Sequence, residues 1–286
     1  MNILSIQSWV AYGHVGNAAA AFPLQRLGAE VWAIQTVQFS NHTGYGHWTG
    51  EVFSGASVRA LVDGIAARGV LPACDALLSG YMGDAAIGEA ILDAAGRVRA
   101  ANPRAIWACD PVIGDVEEGV YVRPGIEDFL RERAAPAADI LTPNHFELER
   151  LTGARCATLA DALRAVARLH AAGPQTILVT SLHTEATPDD AIDLLVSEGG
   201  AAHLLRTPRL PVRMNGTGDA IAALFLFHRL RTGDARAALE AAASALHGVL
   251  RATMEAGARE LALVAAQDEI VSPSRKFAAV PIASRR

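Results

Sequence analysis

Short, almost continuously apolar runs recur along the chain and predict the strands of a buried sheet. The runs are NILSI (2–6), VWAIQTV (31–37), DALLS (75–79), AIWAC (105–109), DILT (139–142), TILVT (176–180) and AIDLLV (191–196). Continuous apolar character, rather than strict alternation, is typical of strands that are covered on both faces. The pattern therefore favours a mainly parallel sheet with helices on either side.

Stretches rich in Ala, Leu, Arg and Glu lie between most of these runs and have the spacing of helices. They predict helices at 83–101, 125–134, 145–152, 159–172, 219–231 and 234–256. No linker or shift in composition interrupts the alternation, so we expect a single α/β domain over residues 1–286. The segment 181–190 is polar and turn-like, and residues 272–286 are expected to form a loosely ordered tail.

Small or polar residues follow five of the predicted strands. In an open parallel sheet the ligand crevice lies beyond the carboxyl ends of the strands, so these residues are expected to meet at one edge. They are Gln7 and Ser8, Gly80 and Tyr81, Asp110 with Asp115 close behind, Thr142 and Asn144 with Glu147 one turn on, and Thr180 and Ser181.

The stretch NGTGDAIAALF (215–225) places two glycines and an aspartate at the start of an apolar helix. The free N–H groups of such a turn, at the positive end of the helix dipole, form a site for an anion such as a phosphate. Asp219 could accept the proton of an attacking hydroxyl, which suits phosphoryl transfer. Aspartate is also an ordinary helix N-cap, so the motif alone leaves both interpretations open.

Two further motifs carry carboxylates near strand ends. Asp110 and Asp115 in CDPVIGD (109–115) could hold Mg²⁺ directly or through water, and Glu147 in TPNHFELERL (142–151) lies near them. Each also has a simpler interpretation, since Asp-Pro and Gly-Asp favour turns and a glutamate in the first helical turn interacts with the helix dipole. The stretch FSNHTGYGHW (39–48) has no metal-ligand spacing and is predicted to be a loop facing a flat aromatic ligand.

Composition narrows the classes of partner. The chain has 286 residues, a net charge of −5 and no run of Lys or Arg, so neither nucleic acid nor an anionic membrane is an expected partner. Three widely spaced cysteines, Cys74, Cys109 and Cys156, favour a reducing compartment over a disulfide framework. The N-terminus lacks the basic and apolar regions of a signal peptide, and no apolar run approaches the ~20 residues of a membrane span. We therefore expect a cytoplasmic protein.

Taken together, the motifs resemble those of the pyridoxal kinases of the ribokinase-like superfamily. The matching segments, in the family's order, are ILSIQSWVAYGHVGN (3–17), VQFSNHTGYGHWTG (37–50), LSGYMGD (78–84), CDPVIGD (109–115), DILTPNHFELERLTG (139–153) and NGTGDAIAAL (215–224). SNHTGY in particular resembles the pyridoxal-binding loop. The resemblance implies a three-layer α/β/α sandwich with a mainly parallel central sheet, and ATP-dependent phosphorylation of the 5′-hydroxymethyl group of pyridoxal.

The resemblance also implies roles for individual residues. Asp219 would be the catalytic base, and the N–H groups of Gly216, Thr217 and Gly218 would form the anion hole. The pyridoxal pocket would be lined by Ser8, Val10, His42, Thr43, Trp48 and Tyr81. The nucleotide side would include Asp110, Tyr121, Thr142, Asn144, Glu147, Ser181 and Thr217, with Asp110, Asp115 and Glu147 around Mg²⁺. Segment 115–123 resembles a mobile flap, a homodimer is expected, and a monovalent cation is a family trait that the residues themselves do not require.

Three other functions stay open at this point. A hydroxymethylpyrimidine kinase or a dual-specificity kinase would share the fold, although such kinases often carry Gly-Thr-Gly-Cys where this chain has Asp219. A sugar or nucleoside kinase would usually need a diglycine region and a lid near the N-terminus. A non-catalytic carrier of pyridoxal phosphate would bind the product without consuming ATP.

Overall fold

The fold contains twelve strands among residues 1–282, which are the residues described by a computed structural model. The strands are β1 (Asn2–Val10), β2 (Glu30–Phe39), β3 (Gly50–Val52), β4 (Ala76–Ser79), β5 (Ile106–Cys109), β6 (Gly114–Asp115), β7 (Gly119–Val120), β8 (Ile140–Leu141), β9 (Thr176–Leu182), β10 (Ala191–Glu198), β11 (Ala201–Pro208) and β12 (Val280–Pro281). Ten of them form one sheet in the order β12-β11-β10-β9-β8-β5-β4-β1-β2-β3, and β6 with β7 forms a separate hairpin.

The middle of the sheet is parallel and its two edges are antiparallel. The strands from β2 through β1, β4, β5 and β8 to β9 pair in parallel. β3 closes one edge, while β10, β11 and β12 extend the other, all in antiparallel register. The predicted mainly parallel sheet is confirmed, with the run 191–196 as an antiparallel member.

Ten helices lie among the described residues. They are α1 (Asn17–Arg26), α2 (Gly55–Ala66), α3 (Ala85–Ala101), α4 (Ile126–Phe129), α5 (Ala135–Ala137), α6 (His145–Thr152), α7 (Leu159–Ala172), α8 (Thr217–Thr232), α9 (Ala235–Glu255) and α10 (Gln267–Val271). A π-helical turn, Leu130–Ala134, joins α4 to α5, and single 3-10 turns occupy Thr43–Tyr45 and Leu71–Ala73.

The helices cover the sheet on both faces, and alternate residues of each strand belong to opposite cores. Ile177 and Val179 of β9 pack in the core that includes α2, α3, α6 and α7. Leu178, between them, packs in the core that includes α1, α8, α9 and α10. Burial on both sides explains the continuously apolar strand sequences. The result is the predicted three-layer α/β/α sandwich.

The C-terminal segment differs from the expected loose tail as far as residue 282. β12 pairs with β11, and the N–H of Ala279 donates to Oε1 of Glu240 at 3.0 Å. The N–H of Phe277 donates to Oγ of Ser244 at 3.0 Å, so this segment also packs on α9. These hydrogen bonds hold a segment whose own sequence has little periodicity. Residues 283–286 of the predicted tail lie outside the described residues.

Within 1–282, no helix has the length and apolar character needed to cross a bilayer.

Candidate active site

A cavity of about 660 Å³ opens at the carboxyl ends of the parallel strands. It brings together all the predicted site residues except Trp48. Those residues are Ser8, Val10, His42, Thr43, Tyr81, Asp110, Asp115, Tyr121, Thr142, Asn144, Glu147, Ser181, Gly216, Thr217, Gly218 and Asp219. Residues far apart in the sequence therefore share one space, as the position of strand ends in a parallel sheet predicts.

The N-terminus of α8 forms one wall of the cavity. Gly216 is its N-cap, with φ of 81°, and its carbonyl accepts the N–H of Ala220 at 3.0 Å. A Cβ at this position would lie 1.8 Å from the carbonyl oxygen of His14, so only glycine fits. Among residues 1–282, no protein acceptor faces the N–H groups of Thr217 and Gly218. These are the free donors that an anion would use.

Asp219 stands in the first turn of α8, not at its cap. Because Gly216 holds the cap position, the interpretation of Asp219 as a simple N-cap is wrong. Burial raises the pKa of the Asp219 carboxyl, although the backbone N–H of Gly16 and the nearby His42 favour its ionised form. A carboxylate with a raised pKa beside free N–H donors is suited to accept a proton next to a bound anion.

Asp110 is a second carboxylate of the same cavity and is 5% exposed. Burial, followed by the negative charge of Asp219, raises its pKa to about 7, and a hydrogen bond from Thr142 opposes the rise. That bond joins Oγ1 of Thr142 to Oδ1 of Asp110 at 2.7 Å. Asp110 and Asp219 therefore concentrate negative charge in a dry site, and a bound cation would relieve it.

Glu147 is buried beneath the cavity and holds neighbouring backbone in place. Its Oε2 accepts the N–H of Asn144 at 2.8 Å in a capping box that starts α6, and its Oε1 accepts the N–H of Ile113 at 2.9 Å. Burial, with the charge of Asp110 as a smaller cause, raises its pKa well above the ordinary value. The Nδ2 of Asn144 donates to the carbonyl of Gly114 at 2.8 Å. Glu147 thus links the start of α6 to the hairpin β6–β7.

Asp115 begins the hairpin and stabilises its turn. Its Oδ1 accepts the N–H groups of Glu117 at 2.8 Å and Glu118 at 2.7 Å. Both glutamates form ion pairs with Arg213, at 2.5 Å and 3.1 Å, on the loop that leads to Gly216. The segment predicted to be a flap is therefore a short two-stranded hairpin at the mouth of the cavity, joined to the opposite rim by charge.

The fit of a magnesium ion depends on which oxygens are free. No group of three or more His, Cys, Asp or Glu side chains in the described part of the chain is arranged to hold a metal. The predicted set of Asp110, Asp115 and Glu147 does not form such a group. Both oxygens of Glu147 accept backbone N–H groups, and Oδ1 of Asp115 accepts two more. Mg²⁺ usually keeps several waters and binds one or two carboxylates plus substrate phosphates. Oδ2 of Asp110, which no protein donor in residues 1–282 contacts, fits that requirement.

The loop predicted to face pyridoxal turns sharply at His42. Nδ1 of His42 accepts the N–H of Gly44 at 3.1 Å and caps the 3-10 turn Thr43–Tyr45. Burial lowers the pKa of His42, against the nearby charge of Asp219, so its ring is neutral. Trp48 is absent from the cavity lining; its ring packs on Phe39 at 4.1 Å between centroids, and Phe39 is the wall residue. Trp48 therefore supports the pocket instead of lining it.

Two positions of the site have special backbone geometry. Ser181, predicted on the nucleotide side, has φ of 48° and is the one non-glycine residue of 1–282 in the left-handed region. Gly16, with φ of 55°, lies so close to Ser8 that a Cβ would approach its Oγ at 2.2 Å. The sequence prediction did not single out Gly16, although the glycine in GHVGN was a signal for a close approach. The prediction also did not include Ala243 and His247 of α9, which reach the cavity from a distant part of the chain.

Known proteins of similar sequence and structure are kinases, in agreement with the geometry of this site. A family model described as phosphomethylpyrimidine kinase matches residues 65–263. The chain is 65% identical over 281 residues to a pyridoxal kinase PdxY of Granulibacter bethesdensis, covering 97% of this chain and 98% of the relative. It is 54% identical to a pyridoxal kinase PdxY of Rubrobacter xylanophilus, with 97% and 96% covered.

A solved structure extends the comparison to three dimensions. The pyridoxal kinase of Leishmania donovani in complex with ADP and pyridoxamine is 30% identical, with a TM-score of 0.92 and 99% of each chain covered. The fold, the matched family and the near-complete coverage of the relatives agree with the motifs in the sequence. The chain therefore belongs to the pyridoxal kinases, within the phosphomethylpyrimidine kinase family and with the ribokinase-like fold.

Proposed function

We propose that this protein transfers the γ-phosphoryl group of ATP to the 5′-hydroxymethyl group of pyridoxal and so forms pyridoxal 5′-phosphate in vitamin B6 salvage. One observation carries the proposal: Asp219, beside the free N–H groups of α8, shares a cavity with the His42–Thr43 loop. A proton acceptor, an anion site and a pocket for a flat ring are the parts that this reaction needs. The relatives, which are pyridoxal kinases, support the choice of substrate.

Asp219 acts as the base and α8 stabilises the transferring group. Its carboxylate accepts the proton of the 5′-hydroxyl as the oxygen attacks the γ-phosphorus, and the bond from that phosphorus to the β,γ-bridging oxygen breaks to release ADP. The N–H groups of Gly216, Thr217 and Gly218 donate to the phosphoryl oxygens, where negative charge is held during transfer. The fixed conformation of Gly216 keeps these donors in place before the substrates bind.

The vitamin and the nucleotide occupy opposite parts of the cavity. Ser8, Val10, His42, Thr43 and Tyr81 surround pyridoxal, with Trp48 behind Phe39. The nucleotide contacts are Tyr121, Thr142, Asn144, Ser181 and Thr217, with Asp110 and Glu147 near the phosphates. The hairpin β6–β7 covers the site when both substrates are present and excludes water, which limits wasteful hydrolysis of ATP.

Mg²⁺ is part of the proposal and neutralises the phosphates when bound. Oδ2 of Asp110 would hold the ion, while Glu147 and Asp115 would act through water and by holding the surrounding backbone. Burial, followed by the negative charge of Asp219, raises the pKa of Asp110, and a cation bound at Oδ2 would offset both effects. A monovalent cation, a homodimer and a cytoplasmic location are further parts of the proposal, taken from family resemblance. A strictly monomeric mass in solution would overturn the homodimer.

The decisive experiment is the formation of pyridoxal 5′-phosphate by purified protein with ATP and Mg²⁺. Hydroxymethylpyrimidine is assayed in parallel, because the matched family model carries the phosphomethylpyrimidine kinase description. Turnover of pyridoxal alone supports the proposal, and turnover of the pyrimidine alone moves the chain to the rival kinase. Tight binding of pyridoxal phosphate without consumption of ATP would make the protein a carrier.

A further inference from the structure

Glu260, in the segment that follows α9, forms a hydrogen bond to the loop that faces the vitamin. Its Oε1 accepts the hydroxyl of Tyr45 at 2.6 Å, across 215 positions of sequence. Tyr45 ends the 3-10 turn that starts at Thr43, and its N–H donates to the carbonyl of His42 at 3.2 Å. The conformation of His42 and Thr43, both at the cavity wall, is therefore tied to residue 260.

The other oxygen of the same carboxylate holds the loop behind the anion site. Oε2 of Glu260 accepts the N–H of His14 at 3.1 Å, and a Cβ on Gly13 would lie within 2.5 Å of the carboxyl group. The carbonyl of His14 in turn lies against Gly216, the N-cap of α8. One carboxylate thus connects the two walls between which a phosphoryl acceptor must sit.

We propose that Glu260 is a positioning residue for phosphoryl transfer, which fixes the distance between the His42–Thr43 loop and the N-terminus of α8. The inference rests on the proposed function and deepens it. Glu260 itself is not among the residues that line the cavity, so it acts through Tyr45 and His14. A reacting hydroxyl must be held near its attack distance, and small displacements of a substrate wall lower the rate strongly.

Neighbouring side chains also restrict the ring of Tyr45. The guanidinium of Arg259 lies over the ring of Tyr45 at 5.2 Å, and Tyr12 packs edge-on at 6.2 Å. The hydrogen bond to Glu260 raises the pKa of Tyr45 to about 12, so the phenol remains a donor near neutral pH. Hydrogen bonds to a charged acceptor are the stronger kind, and two of them here restrain separate loops.

The test compares Glu260→Ala, Glu260→Gln and Tyr45→Phe with Glu255→Ala as the matched control. Glu255 lies on the last turn of α9, is solvent-exposed and pairs only loosely with Arg251 at 3.6 Å. Each variant is checked for its melting temperature, and kcat and the two KM values are measured for the folded fraction. We expect Tyr45→Phe to raise KM for pyridoxal about fivefold and leave KM for ATP unchanged.

Glu260→Ala is expected to raise KM for pyridoxal about tenfold and also to lower kcat, since both loops are released. Glu260→Gln should recover most of the loss, because an amide can accept from His14 and donate to the Tyr45 hydroxyl. Tyr45→Phe in the Glu260→Ala background should add nothing further to KM. Glu260→Ala with unchanged kcat and KM per folded protein would overturn the inference, as would additive effects of the two changes. Absence of turnover in the wild-type protein would instead overturn the proposed function.

Discussion

Asp110 and Asp219, two aspartates of the cavity, differ in the hydrogen-bond donors that contact their carboxylate oxygens. Oδ1 of Asp110 accepts a hydroxyl hydrogen bond from Thr142, whereas in residues 1–282 no side chain donates to Asp219. Asp219 accepts backbone N–H groups, that of Gly16 among them, but with no side-chain donor it keeps lone pairs for a substrate proton. A carboxylate fixed by a neighbour is better suited to hold a cation. This difference supports the proposal that the base and the metal contact are separate residues of the same type.

Replacing the proposed base tests that assignment. Asp219→Asn removes the proton acceptor but keeps the size of the side chain and the N–H groups of α8. We expect kcat to fall by about 10²–10⁴-fold, the usual contribution of a general base, while KM for ATP stays within about twofold. Steady-state kinetics with both substrates checks this. Wild-type turnover by the folded variant would eliminate Asp219 as the base.

Among the residues, those joined to the site by long-range contacts escaped prediction from sequence. Asp219, Asp110 and the SNHT loop stand in recognisable motifs, because glycine turns and strand ends leave local signatures. Glu260 lies in an undistinguished segment and reaches Tyr45 only through the tertiary fold. The family resemblance implies that Trp48 lines the pocket, but its ring packs on Phe39, one layer behind the wall.

At the scale of elements, helix α8 depends on one backbone conformation. Gly216→Ala would force a Cβ into the carbonyl of His14 and strain a residue with φ of 81°. We expect a loss of at least about 2 kcal/mol in the free energy of unfolding and little residual kcat. Gly218→Ala is the matched control, since the nearest atom to its Cβ would be Oδ2 of Asp110 at 4.0 Å. Denaturant unfolding of both variants gives the comparison, and equal stabilities would contradict the role of Gly216.

The loop between β2 and β3 gives a second prediction at this scale. Thr43 begins the 3-10 turn and lines the cavity, on the side assigned to the vitamin. Thr43→Ala should raise KM for pyridoxal about fivefold, by the loss of one hydrogen bond, with a smaller effect on KM for ATP. Initial rates at varied concentrations of each substrate measure both constants. An equal rise in the two constants would argue against the placement of Thr43.

Element boundaries followed the sequence closely where side chains mark them. The predicted helices 145–152 and 159–172 match α6 and α7, and each begins with a capping box, at Asn144 and Thr158. The apolar runs did not reveal α1, which contains Pro23, or β11, which is half-exposed. A strand next to the sheet edge, such as β11 beside the short β12, and a helix that contains proline lack the periodicity of a one-sided element, so they depend on neighbours from the rest of the chain.

At the scale of the whole molecule, the buried carboxyl of Asp110 couples stability to pH. Its pKa is raised to about 7 in the folded state, so between pH 4 and pH 7 the folded protein binds more protons than the unfolded chain. The contribution of this group to the free energy of unfolding is fully present below its unfolded pKa. It is lost as the pH rises through the folded pKa of about 7. Asp110→Asn, which removes the charge and keeps the shape, should therefore stabilise the protein at pH 8 by on the order of 2–4 kcal/mol.

Thermal unfolding at pH 5.5 and pH 8 checks this expectation. The gain from Asp110→Asn should shrink at pH 5.5, where the wild-type carboxyl is already protonated. ATP with Mg²⁺ should raise the melting temperature of the wild-type protein more than that of the variant, because the variant lacks the proposed metal contact. A variant less stable than wild type at pH 8 would contradict the burial of an uncompensated charge.

The packing of α1 against α8 has a consequence for folding during synthesis, because α1 is made long before α8. Ala19, Ala20 and Leu24 of α1 share a core with α8, yet the first residues of the two helices, Asn17 and Thr217, lie 200 positions apart. At about 5–20 residues per second, translation leaves this surface uncovered for about 10–40 s. The helix that finally covers it also delivers Asp219. A polypeptide that ends before α8 would lack Asp219 and would expose the apolar surface of α1. Such a fragment would therefore be both inactive and prone to aggregate.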